Sequence, residues 1–371
     1  MGSPFCSAQI QGEGFRNKVA LPIAPPRKLS EGAIGRRRWY DVAISPDGTF
    51  IAAVGEDSTQ TQEALVWLWD AESGLGLRTF SGFKAPIMAV AFGPEGRRIA
   101  AGGIARWREV DRGLGVTSVA EDGSVMVWDV QSRHEILHLS QSIRPMRAGV
   151  AVGREVVSII DEEYGCRFSR LEDAQTIFEM TAPSGSQKWG GISLLRRVSF
   201  SRDAAKAVVI ARGAPRGMSD LLIYDLKSRR PRVHRIGAAA CVALSPDGSR
   251  FVTAGRSGTL VLHDFETLDG VRTFDGLARP LPLMMEFSPD GRHVASGDDS
   301  GLVHVWSVRT GQTILTVQGP GMSTRALTFL PEGRLRVVSG GIDPGDDRDP
   351  DTGLRLREPL MVWEADLEQK R

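Results

Sequence analysis

The chain has 371 residues, with 46 Lys and Arg against 45 Asp and Glu for a net charge of +1, and three scattered cysteines, Cys6, Cys166 and Cys241. This balance excludes a whole-molecule bias toward nucleic acid or an anionic membrane, and so few cysteines exclude a disulfide framework or a cysteine-based zinc site. No run reaches the roughly 18 apolar residues that cross a bilayer, and Met1–Cys6 has neither a signal-peptide layout nor the hydroxyl residue a myristoylation motif needs at position 6, so the expected location is cytoplasmic.

Taken in chain order, residues 1–38 are expected to be an N-terminal segment, in which Lys18–Ile23 is the better strand candidate and Ala8–Gln11 the lesser. From Val42 onward a unit recurs. A short alternating run (Val42–Ile44, Val90–Phe92, Val198–Phe200, Val242–Leu244, Met285–Phe287, Leu327–Phe329) leads into a turn. The turn is Ser-Pro-Asp-Gly at Ser45–Gly48, Ser245–Gly248 and Ser288–Gly291, with looser copies at Gly93–Gly96, Ser201–Ala204 and Leu330–Gly333. Proline presets φ, aspartate bonds its own backbone and glycine accepts φ > 0, so each copy should reverse the chain. One interval, from Val90 to Val198, is long enough for two units, and Gly149–Arg154 in its middle keeps the alternation without the turn. That makes seven units.

After each turn comes a strand of small residues, as in Ile51–Gly55, Ile99–Gly102, Phe251–Gly255, Val294–Gly297 and Val337–Gly340. A third strand ends on Trp69-Asp70, Trp128-Asp129 or Tyr224-Asp225, with His263-Asp264, Trp306-Ser307 and Trp363-Glu364 as variants. A fourth is expected at Leu77–Phe80, Glu135–Leu139, Thr176–Met180, Arg232–Ile236, Val271–Phe274 and Thr313–Val317. Short strands with turn signals between them specify an all-β fold.

These motifs resemble the WD-repeat family over roughly residues 40 to 366. The resemblance implies a seven-bladed β-propeller of four-stranded antiparallel blades, occupying residues 39–366 ahead of a C-terminal tail at 367–371, with the ring closed by a strand from the N-terminus. Family members often carry Gly-His before the first strand. Here Gly82-Phe83, Gly276-Leu277 and Gly319-Pro320 stand there instead, so the associated hydrogen-bond network is expected to be mostly absent.

The blades are uneven in one place, the connection between second and third strands. It is enlarged at Asp57–Ala64, Ile104–Asp122, Arg212–Asp220 and Ile342–Glu358, and the links Ser140–Ala148 and Thr181–Arg197 are long as well. The family layout would put all of these on one face. Arg106, Trp107, Arg108, Arg144, Arg147, Lys188, Trp189, Arg216 and Met218 are therefore the expected partner-binding residues, because Trp, Arg and Met are enriched at interface hot spots. Loops on a rigid scaffold also drift at small cost, which is the plainer explanation of the same insertions.

Three sharper readings were weighed. Asp347, Asp349, Asp351 and Glu358 have the carboxylate spacing of a calcium loop, but Thr352 stands where glycine is wanted. Calcium is thus met only in part and no other cofactor is expected. Arg36–Arg38, Arg196-Arg197, Trp39, Trp107 and Trp189 interleave as in single-strand binders, yet the acidic stretch Asp343–Asp351 on the same expected face opposes a nucleic acid. The six histidines (His134, His138, His234, His263, His293, His304) sit in no catalytic or metal motif, and His263 takes the place of a structural Trp. The expected function is a non-catalytic scaffold for one or more protein partners or for a multi-protein complex, with no membrane role. The alternative is a propeller enzyme or metal-dependent binder with its site at the channel mouth.

Overall fold

A computed structural model of the chain describes Pro22, residues 24–29, 37–57, 64–83, 86–111, 116–140, 149–153, 156–160, 166–180, 198–203, 205–211, 218–225, 230–237, 239–255, 258–274, 284–320, 323–340 and 360–367. These residues form 28 strands and no helix. The first is β1 (Arg27–Lys28). Six blades then use four consecutive strands each. Blade one is β2 (Arg37–Ile44), β3 (Phe50–Asp57), β4 (Ala64–Asp70) and β5 (Gly76–Phe83), and blade two is β6 (Ile87–Phe92), β7 (Arg98–Asp111), β8 (Val116–Asp129) and β9 (Glu135–Leu139). Blade three is β10 (Gly149–Val152), β11 (Val156–Ile160), β12 (Cys166–Arg170) and β13 (Thr176–Met180), and blade four is β14 (Val198–Phe200), β15 (Lys206–Ala211), β16 (Met218–Asp225) and β17 (Arg230–Gly237). Blade five is β18 (Ala239–Leu244), β19 (Arg250–Gly255), β20 (Leu260–Asp264) and β21 (Gly270–Phe274), and blade six is β22 (Met284–Phe287), β23 (His293–Gly297), β24 (Leu302–Ser307) and β25 (Thr313–Gln318).

A further four-stranded sheet joins β26 (Thr324–Phe329), β27 (Arg334–Ser339) and β28 (Met361–Asp366) to β1, in the order β1-β28-β27-β26. Every pairing among the described strands is antiparallel, and the innermost strands β2, β6, β10, β14, β18, β22 and β26 neighbour one another around a closed circle. The strand that closes it is Arg27–Lys28, which replaces the expected Lys18–Ile23 and Ala8–Gln11. The two expected segments lie outside the described residues apart from Pro22. Closure falls this late because Leu29, next to β1, supplies the buried apolar anchor the joint needs, at 2% exposure.

The turn chemistry works as its residues dictate. In Ser45–Gly48 the Gly48 N–H donates to the Ser45 carbonyl at 2.8 Å, and Gly48 has φ +75. The Ser45 hydroxyl donates to Asp47 at 2.5 Å and accepts the Phe50 N–H at 2.8 Å, locking the mouth of the hairpin. Ser245–Asp247 and Ser288–Asp290 repeat this at 2.6 and 2.5 Å. Burial raises the Asp47 pKa, but hydrogen bonds from Ser45 and Thr49 outweigh it and leave the carboxyl below its ordinary value. The Asp of the Trp-Asp pair caps the next turn: Asp129 accepts the Ser132 N–H at 2.7 Å and its hydroxyl at 2.8 Å.

Neighbouring blades share cores. Trp39, Trp69 and Trp363 are buried together with Leu29 in the cluster joining the last blade to the first, and Trp39 meets Trp69 edge to face at 5.5 Å. Trp39 is therefore a core residue and offers no stacking platform to a nucleic acid.

At two seams a cation reaches both a turn glycine carbonyl and a glutamate of the next blade. At the closing seam the Arg336 guanidinium donates to the Gly48 carbonyl at 2.6 Å, to Glu72 at 2.8 Å and to Glu364 through Nε at 2.8 Å. Between blades four and five the Lys206 ammonium donates to the Gly248 carbonyl at 3.2 Å and to Glu266 at 3.1 Å. In each case a cation on one blade's second strand, Lys206 at its first residue and Arg336 at its third, reaches the Pro-Asp-Gly turn of the next blade.

Candidate functional site

The largest departure from a regular blade is β7 and β8. The sequence reading makes Ile104–Asp122 an enlarged loop, whereas the strands continue through both arms of it, with residues 112–115 between them outside the described set. Arg106 pairs with Asp122, Trp107 with Ala120, Arg108 with Val119, Glu109 with Ser118 and Asp111 with Val116. The physical cause is legible afterwards: Val110, Val116, Thr117 and Val119 are β-branched, and the sequence between the two arms carries Gly113 and Gly115. Alternation across Ile104–Asp111 was the available signal, masked by the arginines.

This ribbon leaves the blade behind. The inner partner β6 follows β7 only as far as Gly103, opposite Ile87, and the outer partner β9 follows β8 only between Val125 and Trp128. Beyond those points the two strands pair with each other alone among the described residues. The extension runs from Ile104 to Asp111, about 25 Å at strand rise. Two register shifts at its base, between Ile104 and Arg106 and between Arg106 and Trp107, re-aim it, as bulges do. Gly103 sits at the root, where an added Cβ would lie 2.2 Å from the Pro86 carbonyl oxygen. The chain passes too close there for any side chain.

Of the expected partner-binding residues, Arg106, Trp107 and Arg108 thus share one strand of the ribbon, and Met218 opens β16 opposite Gly237. Arg144, Arg147, Lys188, Trp189 and Arg216 lie outside the described residues, as do the calcium candidates Asp347, Asp349, Asp351 and Glu358. Among the described residues no group of three His, Cys, Asp or Glu side chains could hold a metal ion.

The inner strands enclose a channel of about 290 Å³. Its wall is mostly aliphatic and aromatic, with Tyr40, Asp41, Ser199, Ser201, Arg202, Glu286 and Thr328 as polar exceptions. Two of these stitch blades together: Asp41 accepts the Val90 N–H at 2.9 Å and Ser199 the Leu244 N–H at 2.9 Å. Sequence reasoning did not single out either residue, since no motif marks them.

Three histidines serve the blades. His263 shares a hydrogen bond with Thr253 at 3.0 Å and stacks on Phe251 at 4.7 Å. His263 stands opposite Phe251 as Trp306 stands opposite Val294 and Trp128 opposite Ile99, so it occupies the structural Trp position. Trp363, whose Nε1 donates to the Ser339 hydroxyl at 3.0 Å, lies opposite Val337, and Ala365 instead stands at that position in the last blade. His304 bonds Thr316 at 3.1 Å and His138 bonds Ser124 at 3.2 Å. Burial holds both His263 and His304 below the ordinary histidine value. Asp298, in the tight turn after β23, keeps one buried oxygen without a partner among the described residues. That agrees with the missing Gly-His.

The WD domain, G-beta repeat family model matches residues 75–129, 232–264 and 282–307. Three segments of the chain thus match WD repeats. Each match runs through the first three strands of a blade (two, five and six) and ends on Trp128-Asp129, His263-Asp264 or Trp306-Ser307, and the first two also take in the preceding blade's fourth strand. WD-repeat propellers generally act as protein-interaction scaffolds. Among curated relatives, the chain is 24% identical to protein tipD of Dictyostelium discoideum over 80% of its own length and 46% of that protein. It is 22% identical to autophagy-related protein 16 of Arabidopsis thaliana over 69% of its length and 46% of the relative. It is 24% identical to eukaryotic translation initiation factor 3 subunit I of Lodderomyces elongisporus over 48% of its length and 44% of the relative. The chain thus spans about half the length, or less, of these relatives.

Proposed function

We propose that this chain is a seven-bladed, non-catalytic scaffold that binds protein partners through one elaborated face, with the blade-two ribbon as its principal contact. The observation that carries this reading is the ribbon itself. An isolated two-stranded hairpin is marginal in water, and exposed strand edges invite pairing, so a ribbon of this length is stabilised by covering it. Trp107, with Arg106 and Arg108 beside it on β7, supplies the hot-spot residue types, and Trp189, Met218, Lys188, Arg144, Arg147 and Arg216 belong to the same proposed surface. The relatives support a role in assemblies, since one of them is by name a subunit of an initiation factor.

The test replaces Ile104–Asp122 by a two-residue turn and compares proteins captured from the native host by wild-type and trimmed chains. Loss of a specific partner from the trimmed chain, and from Trp107→Ala and Trp189→Ala, is expected. Equal recovery by all of them, with melting temperatures unchanged, overturns the reading.

A further inference from the structure

Blade seven is closed by the shortest ladder among the described strands. β1 meets β28 at Arg27↔Val362 and Lys28↔Met361, and the Leu29 N–H donates to the Leu360 carbonyl at 3.0 Å. On its other side β28 is paired along its whole length by β27, from Ser339↔Met361 to Arg334↔Asp366. The outer ladder is cut short for a reason visible in the residues. Continuing its register places Pro26 opposite Trp363 and Pro25 opposite Glu364. Hydrogen-bonded pairs alternate in an antiparallel ladder. With Leu29 bonded to Leu360, the bonded positions are 29, 27 and then 25, and Pro25 has no N–H to give.

What holds the strap is local and chemically specific. Leu29 is buried against the Trp69 and Trp363 cluster, Arg27 lies 3.6 Å from the Glu72 carboxylate, and the Lys28 carbonyl lies over Gly74, 3.2 Å from where its Cβ would be. We propose that the outer edge of β28 is a strand-acceptor site, at which an extended segment of a partner protein displaces Arg27–Leu29. The segment it fits has a basic residue to face Glu72 and an aliphatic residue two positions later to fill the Leu29 site. It has no proline in the preceding residues, so that the ladder runs on toward Asp366. The tethered strap competes at an effective concentration of millimolar order, and the incoming strand offsets this with the backbone pairs that Pro25 forgoes. This rim site is separate from the blade-two ribbon and does not depend on the function proposed for it.

The probe is a fluorescent synthetic peptide of residues 22–31 carrying Pro25→Val and Pro26→Val, titrated by anisotropy against the full chain. Saturable binding is expected, abolished by Leu29→Asp in the peptide. Weakening the chain's own strap by Leu29→Ala should tighten peptide binding about tenfold, and strengthening it by Pro25→Val should weaken binding by a similar factor. If the Leu29→Ala chain does not melt cooperatively, the Pro25→Val chain decides alone. Absence of saturable binding to the wild-type chain, or an affinity indifferent to Pro25→Val, overturns the proposal.

Discussion

The closing seam and the seam between blades four and five present the same acceptor positions to cations that start from different places, since by register Lys206 matches Arg334 and Arg336 stands two residues further along its strand. Arg336 at the first and Lys206 at the second both reach the turn glycine carbonyl of the next blade and a glutamate two residues beyond its third strand, Glu72 or Glu266. Arg336 is buried, and Glu364 beside it is buried too. Lys206 instead lies over the Phe265 ring at 4.3 Å and pairs with a glutamate side chain that is 70% exposed. Blades four and five have complete outer ladders, so their clasp is auxiliary. The closing seam has a two-pair ladder, and there the guanidinium, with its fork of donors, takes over part of what the backbone does elsewhere.

The comparison breaks most sharply at Arg336. Arg336→Ala leaves Glu364 buried with Arg334 as its remaining partner, and should cost about 3 kcal/mol, measured by chemical denaturation. A cost no larger than that of the lysine variant below would show the two clasps to be equivalent. Next comes the turn. Gly74 has φ +72 at the closing seam and Leu268 has φ 66 at the corresponding place in blade five. Gly74→Ala should cost roughly 1–2 kcal/mol, because the added Cβ also meets the Lys28 carbonyl. Lys206→Met should cost at most about 1 kcal/mol, since its partner Glu266 is largely exposed and the methionine keeps the packing of the stem.

The smallest effect is one of pH. Protonation of His263 is disfavoured by burial and by His234, so the unfolded chain takes up protons more readily and stability falls as the pH drops below 6.5. The Asp47 turn, at the closing seam, has a lowered carboxyl value and loses its contribution only as the pH falls below 3.8. Hydrogen exchange at mildly acid pH should therefore quicken in blade five before blade one, and His263→Phe should flatten the dependence of melting temperature on pH across that range. Simultaneous loosening of both blades would contradict this ordering.

Strand positions were legible where local chemistry acts alone. The expected fourth strands Glu135–Leu139 and Thr176–Met180 stand at those bounds, and the degenerate unit at Gly149–Arg154 supplies β10. Those segments need only alternation and a reversing turn, both short-range. The ribbon was misread because β-branched residues interrupted by arginines resemble a polar loop until they are seen paired. The closing strand was misread because apolar alternation favoured Lys18–Ile23. The joint instead needs one buried leucine and a basic residue within reach of Glu72, requirements set by residues from both ends of the chain.

The amino-acid sequence by itself determined the repeat, its turns and the all-β blades, since proline, aspartate and glycine at fixed offsets dictate backbone reversal whatever surrounds them. Only the tertiary structure decided how the ring is joined, which tryptophans are core, and that the blade-two insertion stands out as a ribbon. Each of these depends on what lies opposite a residue across a seam or a strand pair, and that partner is tens to hundreds of positions away in the chain.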